Sequence, residues 1–191
     1  MRLDASTYAL LQSMCLAGVL AAAVVTDIRV RKIPNRLIVT GFLLALLSNG
    51  AAAHWNPALA GPLGWGPAVA GAVVGLGTLV PLYVIGAMGA GDVKLMAVVG
   101  AFLGPRAAIG AALATLVAGG VLAIVAALHW RVAPTLLRNV RTMLASGVAR
   151  LGFGELPQLA GAPVSAGQLP YAVAIATGTA AYLLWAGSHA L

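Results

Sequence analysis

Residues 7–35 read TYALLQSMCLAGVLAAAVVTDIRVRKIPN. The segment Thr7–Thr26 carries no charge, and Asp27, Arg29, Arg31, Lys32 and Arg36 follow it at once. A run of roughly 20 apolar residues is the length that crosses the hydrocarbon core of a bilayer. A basic cluster directly behind such a run marks the side that stays in the cytoplasm. A cleaved leader is the competing reading, because Ala21–Ala23 resembles a small-residue cleavage site. Against it, Arg2 is offset by Asp4, the run is long for a leader's apolar region, and the basic residues follow the run. The segment therefore reads as a retained membrane helix with its N-terminus outside.

The rest of the chain repeats this pattern. Of its 191 residues, 61% are hydrophobic and 8% charged, too few charges to cover a water-exposed globular surface. That excludes a soluble enzyme, a disordered chain and a DNA-binding domain. Further apolar stretches lie at Leu37–Ala53, Pro67–Met88, Val93–Leu103, Ala107–Trp130 and Leu169–Gly187. The expected fold class is all-α, a polytopic membrane bundle of about six transmembrane helices. The fourth stretch is short for a span. It must extend into its flanks, be surrounded by protein, or enter as a broken helix.

Charge orients the bundle. The net charge of +7 would suggest nucleic acid in a soluble chain. Here nine of the 11 basic residues fall in alternate loops: Arg29, Arg31, Lys32, Arg36, Lys94, Arg131, Arg138, Arg141 and Arg150. The opposite side receives Arg2 and Arg106. The positive-inside rule places loops one, three and five in the cytoplasm and both termini outside. No nucleic-acid partner is expected. The one cysteine, Cys15, lies in an apolar run, so neither a disulfide framework nor a thiolate metal cluster is expected.

Residues 131–167 form the longest stretch between spans. Leu136, Leu137, Val140, Met143, Leu144, Val148 and Leu151 recur at helical spacing among arginines, which predicts an amphipathic helix on the cytoplasmic surface. Contact with anionic lipid and a platform for a substrate are its two readings. Gly71 and Gly75, and Gly100 and Gly104, stand four apart, the spacing that lets helix backbones approach. His54, Trp55 and Trp65 read as interfacial residues.

Among four acids, Asp4 sits in the N-terminal tail and Glu155 in the long loop, while Asp27 and Asp92 border apolar runs on the same predicted side. An acid costs about 2.5–3.5 kcal/mol at a helix centre on insertion scales and less near the ends, so it usually faces the bundle interior and marks a site. Two carboxylates in contact cannot both ionise and share a proton. One then activates water as general base, and the other donates to a substrate carbonyl. Local ion pairs with Arg29 and Lys94 are the other reading, and spacing alone does not separate the two. Gly86, Gly89 and Gly91, which leave room for a bent backbone and an approaching substrate strand, favour the dyad.

These residues carry a resemblance. Gly89-Ala-Gly-Asp-Val-Lys-Leu95 is similar to the GxGD motif of intramembrane aspartyl peptidases, in the form found in type IV prepilin peptidases. Asp27-Ile-Arg-Val-Arg-Lys-Ile-Pro-Asn35 resembles that family's partner motif, and Leu169-Pro-Tyr-Ala-Val-Ala174 its C-terminal Pro-aromatic segment. The resemblance spans nearly the whole chain, which would form a single membrane peptidase domain over residues 1–191. It implies catalytic Asp27 and Asp92, and cleavage of a prepilin or pseudopilin leader at the cytoplasmic face of the bacterial inner membrane. It implies no metal and no cofactor. The cysteine pairs of the larger, methylating members are missing, so the chain most resembles the short peptidases of tight-adherence (Flp-type) pilus systems.

Supporting roles fall on the other motif residues. Gly89 and Gly91 clear space beside Asp92. Lys94 tunes Asp92, attracts an acidic substrate group, or snorkels to lipid phosphate. Ile33 is held extended by Pro34, which starts the second helix, and Asn35 caps that helix or touches substrate. Pro170 suits a first helical turn, and Tyr171 is an interfacial anchor or a substrate contact. Two rivals remain at this point: a small proton-coupled transporter component, in which the acids relay protons, and a non-catalytic membrane scaffold.

Overall fold

The computed structural model describes residues 5–55, 64–84, 86–129 and 170–188. The expected amphipathic helix within 131–167 lies outside them. Six helices are described: α1 (Ala5–Val30), α2 (Asn35–Trp55), α3 (Trp65–Val84), α4 (Ala90–Leu103), α5 (Pro105–His129) and α6 (Tyr171–Ser188). No strand occurs among the described residues. Four of the helices contain stretches long and apolar enough to cross a membrane: Thr7–Val30, Asn35–His54, Trp65–Val84 and Pro105–Ala126. The fold is a polytopic helical bundle.

The bundle is built around its shortest helix. With 14 residues, α4 reaches about 21 Å, against a hydrocarbon core of about 30 Å. It is surrounded by protein and touches all five other helices. Leu95, Met96, Val98, Val99, Ala101 and Phe102 are enclosed. The outside is apolar as well: Leu10, Leu47, Val73, Val117, Ile124 and Leu184 are all exposed. That distribution suits a lipid surround, where greasy side chains face outward at no cost.

Backbones meet closely in two places. Gly71 and Gly75 of α3 lie against Gly100 and the Met96 carbonyl of α4, with no room for a Cβ. The two glycine pairs seen in the sequence thus pack on each other. Between α5 and α6, Gly178 rests on the Thr115 backbone, and Gly110 takes the ring of Tyr182.

The third apolar stretch was expected to run to Met88, but α3 ends at Val84. Gly86, at φ +77°, turns the chain. Its N–H donates to the Tyr83 carbonyl at 2.9 Å, and the Ala87 N–H donates to the Leu82 carbonyl at 2.8 Å. This is the Schellman pattern, with glycine in the left-handed position. Met88 is apolar because it is buried in the core, not because it is helical.

The last carbonyls of α4, on buried and half-buried residues, have no partners within the helix, and water alone does not meet them. Polar side chains do so instead. Asn49 Nδ2 donates to Ala101 O at 3.1 Å, and Gln12 Nε2 donates to Phe102 O at 2.6 Å. Gln12 also donates to Asn49 Oδ1 at 3.3 Å, and Gly104 N–H closes on Gly100 O at 2.8 Å. Gly104, at φ +80°, then leads directly into α5, which opens on Pro105.

Candidate active site

Four chain segments converge at the opposite end of α4. The first is the last turn of α1. This helix runs beyond Thr26, so Asp27 is helical, with its main-chain carbonyl accepting from the Arg31 N–H at 2.9 Å. Arg31 adopts φ +55°, a left-handed conformation that ends the helix. The chain then swings back through Ile33 and Pro34 into α2. Pro34 accepts the opening bonds of α2 from Leu37 N–H at 3.0 Å and Ile38 N–H at 3.3 Å.

The second segment is the turn from α3 into α4. Gly89 precedes the helix in extended conformation, at φ −76° and ψ 148°. Its carbonyl accepts from the Asp92 N–H at 3.2 Å. A Cβ on Gly89 would stand 3.1 Å from Asp92 Oδ2, so the glycine keeps that flank of the carboxylate open. A Cβ on Gly91 would stand 3.3 Å from the Ile33 Cβ. Gly91 therefore lets the loop after α1 lie against the head of α4.

The third segment is the start of α2, where Asn35 Oδ1 accepts from Lys94 Nζ at 3.3 Å. Lys94, the base two residues from Asp92, is thus engaged with Asn35 and ties α4 to α2 at the surface. The fourth is the start of α6. Pro170 accepts from the Val173 N–H at 3.1 Å, and Asp27 Oδ2 accepts from the Ala172 N–H at 3.1 Å. Tyr171 packs its ring over Gly119 of α5.

The two acids differ in setting. Asp27 is buried among helices, whereas Asp92 is partly buried in the first turn of α4, ahead of its apolar stretch. Burial first, and the Asp27 charge second, push the Asp92 carboxyl up to about 6, while a main-chain hydrogen bond from Gly89 pulls it down. Gly91, next to Asp92, lies against Ile33 of the loop that follows Asp27, so both acids stand at the same end of the bundle. A carboxyl in this range exchanges its proton near neutral pH, as general acid–base chemistry requires. Among the described residues, no three His, Cys, Asp or Glu side chains gather at one point.

A family model described as the type IV leader peptidase family matches residues 14–124. The chain belongs to that family. The matched residues take in both acids, the glycines around Asp92 and the Ile33-Pro34-Asn35 turn, and they end before α6. The chain is thus a multi-pass membrane protein of a peptidase family. No curated protein and no solved structure is significantly similar to it.

Sequence reasoning had no means of finding the Ala172 N–H. It is a main-chain donor, and an alanine gives no chemical signal. Gln12 and Asn49 were also missed. Their signal was available, since amide side chains inside apolar runs need partners.

Proposed function

We propose that the chain is a prepilin leader peptidase in which Asp27 and Asp92 form a catalytic dyad. The observation that carries this reading is the placement of the two acids, 65 positions apart in sequence, at one end of the bundle, where Gly91 beside Asp92 lies against Ile33 of the loop that follows Asp27. A prepilin or pseudopilin would lie with its apolar segment beside the bundle and its leader in the cytoplasm. The peptide at the boundary would unwind into an extended strand and enter over Gly89.

Water held between the acids attacks the scissile carbonyl. One carboxylate takes the proton that the water loses, and the protonated partner gives its own to the carbonyl oxygen. The tetrahedral diol collapses when the first carboxyl passes its proton to the leaving nitrogen, the C–N bond breaks, and the other carboxylate takes a proton back from a diol hydroxyl. Each acid returns to its starting state, and the reaction needs no cofactor. The positive-inside pattern supports an active site at the cytoplasmic face of the bacterial inner membrane.

Co-expression with a candidate prepilin tests this. A shortened product is expected with the wild type and none with Asp27→Asn or Asp92→Asn at equal membrane levels. Full activity in either variant would remove the dyad.

A further inference from the structure

The donor on Asp27 comes from outside the residues that the family model matches. The first turn of a helix leaves N–H groups without intrahelical partners. In α6 the Val173 N–H is met by Pro170, and the Ala172 N–H goes to Asp27 Oδ2 at 3.1 Å. Ala172 is 0% exposed and Asp27 8%, so solvent has little access to this bond. Hydrogen bonds to a carboxylate are about twice as strong as neutral ones, and the positive end of the helix dipole adds to this one.

We propose that the Ala172 main-chain N–H is a positioning donor for the dyad. It fixes Oδ2 of Asp27 and leaves Oδ1 to face the water. The side chain at 172 is a methyl group and touches no reacting atom, so the role belongs to the backbone. The inference rests on the peptidase reading and gives the backbone of the first turn of α6 a role in it. Docking of α6, set by Gly178 against Thr115 and Gly110 against Tyr182, then becomes a condition for an ordered dyad.

The test replaces Ala172 by lactate in the full chain, made by cell-free translation into nanodiscs. An ester oxygen takes the place of the N–H with almost no change in shape. The matching ester at Val173 removes a neighbouring N–H that serves Pro170 instead. The expected result is a fall in kcat of about 10- to 100-fold for the 172 ester. KM for a prepilin peptide should stay within about twofold, and the 173 ester should keep most of the activity. Equal losses at both positions, or a 172 ester within about twofold of wild type, would overturn the proposal.

A second measurement leaves residue 172 intact and covers the case in which the ester does not fold. Exchange of the labelled Ala172 amide is expected to accelerate in Asp27→Ala and to stay slow in Asp92→Ala. No acceleration in Asp27→Ala would overturn the contact. A wild type that cuts no prepilin would instead sink the peptidase reading, while the exchange measurement would still judge the contact by itself.

Discussion

At the C-terminal end of α4 the amides of Gln12 and Asn49 meet its last carbonyls. At its N-terminal end the same helix begins with Gly89, which supplies no side-chain cap, and places Asp92 in the first turn. One end satisfies its polar groups with neutral partners. The other places Asp92 in a partly buried first turn, at the end of the bundle that also holds the buried Asp27. Neutral amides give a closed hydrogen-bond network that holds α4 in register. In the proposed hydrolysis the two acids at the other end share a proton, and that sharing is the chemistry the reaction uses.

The largest effect is expected at the acidic end. Asp27→Asn and Asp92→Asn each keep the shape of the side chain and remove its ability to exchange a proton. Activity on a prepilin should fall by roughly 100- to 10,000-fold, the range of general acid–base catalysis. Initial rates of leader release in nanodiscs measure this. A variant that retained a tenth of the wild-type rate would erase the contrast between the two ends.

The amide end should respond in stability. Asn49→Leu leaves the Ala101 carbonyl without its buried donor, and such a loss costs about 1–3 kcal/mol. Gln12→Leu should cost less, because Gln12 is only partly buried. Thermal unfolding in detergent should show a lower Tm for both, in that order, and the fraction that stays folded should cleave prepilin at close to the wild-type rate. A large kcat defect in folded Asn49→Leu would mean that the two ends of α4 are not separable.

Hydropathy runs made the bundle legible, because a lipid-facing helix must be apolar along its length. Asp27 and Asp92 stood out since most other positions near them are apolar. The end of α3 was not legible: Met88 continues the hydropathy of the span, and only the left-handed turn at Gly86 removes it from the helix. The encasement of α4 was one of three possibilities at the level of sequence, and the packing of Gly71 on Gly100 selects it. The Pro-aromatic segment that holds Ala172 was legible, but the bond from its backbone N–H to Asp27 was not, since an alanine carries no side-chain signal for it.

Asp92→Asn sharpens the comparison a second way, through stability. The folded chain holds the Asp92 proton up to about pH 6, above the ordinary carboxylate value of 3.8. Below that ordinary value both folded and unfolded chains are protonated, and the acid costs the fold nothing. As pH rises toward 6 the unfolded chain releases its proton first, so stability falls; above about 6 the full cost remains. Asparagine stays neutral throughout. Asp92→Asn should therefore raise Tm at pH 7.5, and the gain should fade toward pH 4. A Tm difference independent of pH would mean that the charge at Asp92 costs the fold nothing.

The smallest effect is expected where the acidic end meets solvent. Lys94 and Asn35 are both exposed, and their hydrogen bond is 3.3 Å long. Exposed polar pairs of this kind contribute about 0–1 kcal/mol. Lys94→Met and Asn35→Ala should each leave Tm nearly unchanged. If their role is only to tie α4 to α2, the double variant should equal the sum of the singles less the small pair energy, and kcat should hold in all three. If Lys94 instead draws an acidic group of the substrate, KM should rise with Lys94→Met alone and the rise should shrink with added salt. A salt-sensitive KM would make Lys94 a substrate contact, and an insensitive one would leave it a surface tie.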